Sequence, residues 1–147
     1  PGQDKARMLD TWKAMEHLYK EGKVKSIGVC NFEISQLTYL LEHCEIKPMI
    51  DQVEHTPLMH DEKLISFCKE HEIQIMAWGP LLRGNLENKK IEEIAAKYNK
   101  TTAQLLLRWN IQQEIIPIPK SKNEQRLQQN IDVFDFKRRY GRVKSYE

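Results

Sequence analysis

Scarcity is the first thing this sequence offers: three cysteines, six glycines, few aromatic residues, no long apolar run and no excess of one charge. Cys30, Cys44 and Cys68 are odd in number and contain no C-x-x-C pair, which excludes a disulfide scaffold and leaves reduced thiols in a cytosolic setting as the expectation. Cys68 and His71, with His43 and Cys44 as nominal partners, have a spacing a metal can use. Adjacent His-Cys is poor ligand geometry on a helix, so no metal is assigned. No apolar stretch approaches the roughly 20 residues of a membrane span, and the opening residues lack a signal-peptide layout, so no membrane partner is expected. With 23 basic and 21 acidic residues the net charge is only +2, and the two signs alternate along the chain instead of forming a basic face. That argues against nucleic acid. The exception is the end, where Lys137, Arg138, Arg139, Arg142 and Lys144 stand against Glu147 alone. Such a run usually makes a solvated terminus.

What is present is a repeating pattern. Met8, Trp12, Met15 and Tyr19 recur at helical spacing, and Gly22 stands where a C-terminal cap belongs. Residues 26–31 then form a nearly continuous apolar run that suits a parallel strand buried on both faces. Ile34, Leu37, Leu40 and Leu41 predict a second helix. Residues 49–54 predict a second strand, Leu64 to Cys68 a third helix and residues 73–78 a third strand, ended by Gly79-Pro80. An open loop over 82–89 precedes two helical sets, around Ile91 to Tyr98 and from a Thr101 cap through Trp109. Ile115 to Ile118 reads as a fourth, buried strand. Strand and helix alternating at this spacing predict parallel βα units, whose ligands gather at the C-terminal ends of the strands. Cys30, Asn31, Gln52, Glu54, Trp78 and Lys120 stand there.

The stretch from Ile116 to Asn130 carries the strongest chemistry. Pro117 and Pro119 stop the strand ladder. Ser121 followed by Glu124 fits a capping box, so the N–H groups of a new helix would favour an anion. Lys120 supplies a point charge and Arg126 a planar fork, a pairing suited to a phosphate monoester. A solvated basic turn explains the same residues equally well. At the other strand ends, Asn31 and Gln52 are matched to a carboxamide or serve as loop caps, and Trp78 is either a stacking platform or a packed aromatic.

Taken together, Ile27-Gly28-Val29-Cys30-Asn31-Phe32, Gln52-Val53-Glu54, Ala77-Trp78-Gly79-Pro80-Leu81, Leu107-Arg108-Trp109 and Ile118-Pro119-Lys120-Ser121 with Arg126 and Asn130 resemble the aldo-keto reductase family. The match is collinear from about Trp12 to Phe136. It implies a parallel (β/α) TIM-barrel fold, here about half of a (β/α)8 barrel over residues 1–136, with residues 137–147 a basic divergent tail. It also implies NADPH/NADP as cofactor and an aldehyde or ketone carbonyl as substrate. Carried over, the resemblance gives Cys30, Asn31 and Gln52 to the nicotinamide carboxamide and Trp78 to its ring. Gly79 falls to the diphosphate region, Leu81 to the cofactor site in general, Lys120, Ser121 and Arg126 to the adenosine 2′-phosphate, and Gln129 and Asn130 to the adenine.

Departures from the family pattern are specific. Cys30 replaces a serine and weakens one hydrogen bond to the carboxamide. Thr56 stands for the histidine of a Gln-x-Glu-x-His-Pro pattern, Gly79 for a common serine, and Gln129 for a frequent glutamate. Nothing here matches the family's catalytic Asp, Tyr, Lys and His, which come from the other half of the barrel. The expectation is a cofactor-binding half without its proton donor, completed by self-association or by a first half. The other reading is a non-catalytic protein that reuses the scaffold to bind a nucleotide or to regulate.

Overall fold

The structure, a computed structural model, describes residues 2–137, so the basic tail beyond Lys137 lies outside the described residues. Helix and strand alternate as α1 (Gly2–Lys20), β1 (Gly28–Cys30), α2 (Ile34–His43), β2 (Ile50–Glu54), α3 (Glu62–Glu70) and β3 (Gln74–Trp78). A 3-10 turn (Leu82–Gly84) follows, then α4 (Lys89–Ala96), α5 (Thr102–Ile111), β4 (Ile116–Pro117) and α6 (Glu124–Ile131). The strand order is β1-β2-β3-β4. Gly28 to Cys30 run parallel to Ile50 to Gln52, and Met76 and Ala77 run parallel to Ile116 and Pro117. The parallel α/β class read from the periodicity is therefore present. The chain divides into two compact units, Pro1–Val53 with Glu62–Ile75 and Glu54–Asp61 with Met76–Glu147.

In the first unit the apolar stripe of α1 does the docking. Trp12 packs with Ile27 and Leu40, flanked by Met8, Met15 and Tyr19. Its indole Nε1 donates to the carbonyl of Ile46 at 2.9 Å. Glu16, one turn on, is 4% exposed, and its carboxylate accepts from the Glu45 and Ile46 N–H groups at 2.9 and 2.8 Å. A buried carboxylate holding two backbone donors is a satisfied anchor. The helix stops at Gly22, whose φ of +70° lets the Lys23 N–H reach back to the Leu18 carbonyl at 3.1 Å. Glycine is favoured there because a side chain disfavours that backbone region.

Burial along the strands corrects the expectation of two covered faces. β2 and β3 alternate between half-buried and buried residues, and β1 is half-buried and ends on exposed Cys30. Asp51 and Val53 of β2 are buried while Ile50, Gln52 and Glu54 are only partly covered. Successive strand side chains point to opposite faces, and the deep burial falls on one parity only.

Asp51 is the costly member of the buried set. It is fully buried; Oδ1 accepts from the Phe32 N–H at 3.4 Å, and Oδ2 has no partner among the described residues. Burial pushes its carboxyl up to about 6. Burial, and then the Asp51 charge, push the Cys68 thiol up to about 12.

In the second unit α5 buries Leu105, Leu106 and Leu107, each worth about 1.5–3 kcal/mol in transfer from water. The expected Thr101 cap is present. Its Oγ1 accepts from the Gln104 N–H at 3.2 Å, and Gln104 Oε1 accepts from the Thr101 N–H at 3.0 Å. Gln104 Nε2 also donates to the carbonyls of Gln129 and Asp132 at 3.1 and 2.9 Å. One buried amide thus caps α5 and fastens the end of α6. The fourth strand is shorter and barer than expected. Ile115 is buried, but Ile116 and Ile118 are 44% and 39% exposed and only Ile116–Pro117 is strand. The Ile118 N–H still donates to the Ala77 carbonyl at 3.0 Å, so by alternation Pro117 turns away from β3.

Two stability outcomes follow from these contacts. A Cβ at Gly28 would sit 2.6 Å from the Ile50 carbonyl oxygen, so Gly28→Ala is expected to cost about 1–3 kcal/mol in urea denaturation. An acid held at about 6 in the fold, against 3.8 for the ordinary group, stabilises below pH 3.8 and loses that contribution as the pH rises through 6. The ionised form therefore costs on the order of 3 kcal/mol. Asp51→Asn is expected to be more stable than the parent at pH 8, with the difference vanishing toward pH 4 in thermal denaturation.

Candidate functional site

The second unit contains an open cleft of about 890 Å³. Six of the expected residues line it: Leu81, Lys120, Ser121, Arg126, Gln129 and Asn130. Two helix starts also reach it, Thr101 to Ala103 at the head of α5 and Asn123 at the head of α6. Unfilled N–H groups at a helix start and the positive end of its dipole favour an anion. Lys120, Lys122 and Arg126 reinforce that preference, and Glu87 and Glu92 on other parts of the wall oppose it. The cleft wall thus carries both signs of charge.

The start of α6 differs from the expectation. The helix begins at Glu124, and its cap is Asn123, whose Oδ1 accepts from the Arg126 N–H at 2.9 Å. Ser121 lies two residues outside, its Oγ accepting from the Asn123 N–H at 3.1 Å. Asn is as good a cap as Ser, and a three-residue reach from Asn123 meets the first helical N–H groups where Ser121 falls short. The displacement leaves Ser121 in the cleft wall.

Trp78 and Gly79, at the C-terminal end of β3, are not among the residues that line the cleft. The Arg83 guanidinium lies over the Trp78 ring, 5.0 Å from its centroid. Arg83 also makes a bidentate pair with Glu54, at 2.8 and 3.2 Å. Gly79 has φ +61°, and a Cβ built on it would face Arg83 Cγ and Glu54 Oε1 at ordinary contact distance. Sequence reading did not find this pair. A lone arginine in a loop carries no signal by itself, and its partner is 29 residues away.

Cys30, Asn31 and Gln52 belong to the first unit. Cys30 is paired in register with Gln52, and the Asn31 N–H donates to the Gln52 carbonyl at 2.9 Å. Asn31 has φ +56°, a left-handed turn that asparagine tolerates better than most residues. The turn is held from β2 by two successive N–H groups, that of Asn31 on the Gln52 carbonyl and that of Phe32 on Asp51.

A second constellation was missed altogether. His55 is buried, its Nδ1 is 2.8 Å from Asn110 Oδ1, and its ring stacks on Trp109 with centroids 4.6 Å apart. Burial pulls the imidazole down to about 4, so it is neutral at physiological pH. No cluster of three or more metal-ligating side chains occurs among the described residues.

Parallel βα units, with a cleft at the helix starts that follow the last strands, define an α/β protein of the barrel type. The family model of the aldo/keto reductase family matches residues 2–140, and this chain belongs to that family. It is 47% identical over 137 residues to the glyoxal reductase of Bacillus subtilis (strain 168), covering 92% of this chain and 49% of the relative. Among solved structures, an aldo-keto reductase from a Medee basin deep-sea metagenome library superposes with a TM-score of 0.86 at 43% identity, over 90% of this chain and 50% of that one. The Bombyx mori aldo-keto reductase in complex with NADP superposes at 0.83 with 38% identity, over 89% and 46%. The chain spans about half the length of the relatives it matches. The corrected cap is open to test: Asn123→Ala is expected to lower stability by about 1 kcal/mol, and Ser121→Ala by less, in parallel thermal denaturation.

Proposed function

We propose that this chain is the cofactor-binding half of an NADPH-dependent aldehyde or ketone reductase. The observation that carries the reading is the cleft of the second unit, which gathers Lys120, Ser121, Arg126, Gln129 and Asn130 around two helix starts. That donor set fits a 2′-phosphorylated adenosine. Lys120 and Arg126 take the phosphate charge, the Ser121 hydroxyl adds a donor once it turns from the Asn123 carbonyl, to which it donates at 3.3 Å, and Gln129 and Asn130 offer amides to the purine edge. In the first unit, the adjacent Asn31 and Gln52 are matched to the donor and acceptor of a carboxamide. Cys30 beside them contributes only a weak hydrogen bond. Membership of the family, and a family neighbour in complex with NADP, support this choice of cofactor.

Bound to such a site, the reduced dinucleotide supplies a hydride to a carbonyl carbon. This stretch holds no counterpart of the family's acid tetrad, so the proton for the carbonyl oxygen has to come from residues outside it. A matching barrel half, from a first half or a second copy, is the proposed source of both the proton donor and the missing sheet neighbours. The relative named for glyoxal reduction suggests a small reactive carbonyl as the substrate class.

Titrating the 147-residue chain with NADPH and NADH, followed by tryptophan and nicotinamide fluorescence, tests the first part. NADPH is expected to bind at least about tenfold more tightly, with Lys120→Ala and Arg126→Ala each removing most of that preference. Equal affinity for the two dinucleotides would overturn it. Oxidation of NADPH by this chain alone in the presence of glyoxal would overturn the claim that it lacks its own proton donor.

A further inference from the structure

The segment after β3 is wound against ordinary preference. Leu82 and Arg83 are consecutive residues in the left-handed region, φ +52° and +53°, and neither is glycine. Each such residue is disfavoured, and two in a row persist only where something else holds them. What holds them is printed in the side chains. The winding places Leu81 and Gly84 on the cleft wall and sends Arg83, between them, to Trp78 and Glu54. The Arg83 side chain remains 66% exposed although it lies over the indole and is bidentate to Glu54. A group that exposed, stacked on a ring, stands between that ring and solvent.

We infer that Arg83, clasped by Glu54, is a displaceable cover on the Trp78 ring, occupying the face that a flat aromatic ligand from solvent would need. The inference rests on the dinucleotide reading above, because it gives that ligand as a nicotinamide ring. The cation–π contact is exposed and contributes little, and the ion pair, although bidentate, is screened by solvent on the Arg83 side, which is 66% exposed against 20% for Glu54. The loop strain works against them. The cover is therefore easily displaced, and it lowers affinity modestly instead of closing the site. Release is favoured by the same ligand, whose diphosphate offers the freed planar guanidinium a bidentate anionic partner. Glu54→Gln loosens the clasp and acts in the same direction as removing the arginine.

The test uses the intact chain and two ligands. NADPH carries the nicotinamide, whereas adenosine 2′,5′-bisphosphate carries the adenosine and phosphates without it. In Arg83→Ala, and more weakly in Glu54→Gln, the association rate of NADPH is expected to rise by roughly three- to tenfold. Affinity for adenosine 2′,5′-bisphosphate is expected to stay unchanged. Without any ligand, acrylamide quenching of tryptophan fluorescence should increase in Arg83→Ala and not in Arg83→Ala combined with Trp78→Phe. Unchanged or slower NADPH association, with the bisphosphate still bound, would overturn the cover alone. Failure of the parent chain to bind the bisphosphate at all would overturn the dinucleotide reading instead.

Discussion

The residues of β2 and β3 are sorted by the two-residue period of a strand buried deeply on one side. Along β2 the constraint sorts neighbours into opposite environments: Asp51 and Val53 are buried, while Gln52 and Glu54 remain partly open. Along β3 it buries Ile75 and Ala77 and leaves Gln74, Met76 and Trp78 partly open. A slip of one residue would exchange the two sets. Polar groups that stay partly open therefore keep one parity, and the deeply buried apolar ones the other. Asp51 breaks the rule, which is why its carboxyl is held above its ordinary value and why one of its oxygens has no partner among the described residues.

The second constraint is the placement of helix starts. α5 and α6 both begin at the cleft, and each start is defined by a side chain accepting a backbone N–H, Thr101 for α5 and Asn123 for α6. Gln104 couples them, because the amide that completes the α5 cap also binds carbonyls at the end of α6. The Lys100 ammonium adds ion pairs to Asp132 and Asp135, at 3.0 and 2.8 Å. These pairs hold it in the charged form to higher pH than usual, through the hydrogen bond to Asp135 first. The position of Arg126 and Asn130 in the cleft wall is thus tied to contacts at the C-terminal end of α6.

Much of this was legible beforehand, because helical spacing, the Gly22 cap, the Thr101 cap and the order of strands are local patterns. The family resemblance rested on motifs whose order along the chain survives any change in loops. What was misread depended on distance or on competition. Ile116 and Ile118 have the branched side chains of a buried strand, but burial is decided by what packs against them, and that is not written in four residues. Ser121 and Asn123 both make good caps, and only the exact start of α6 chooses between them. The pairs Glu54–Arg83 and His55–Asn110 join residues 29 and 55 positions apart, beyond the reach of any window.

The single proline within β4 has a bearing on how such a sheet can be extended. With Ile118 donating to Ala77, the backbone of Pro117 faces outward and presents a carbonyl with no amide hydrogen beside it. Two copies brought together through this rim would set acceptor against acceptor, so a twofold-symmetric docking of identical rims is disfavoured at that point. Only a differently sequenced edge, one that brings its own hydrogens, can stitch the sheet onward there.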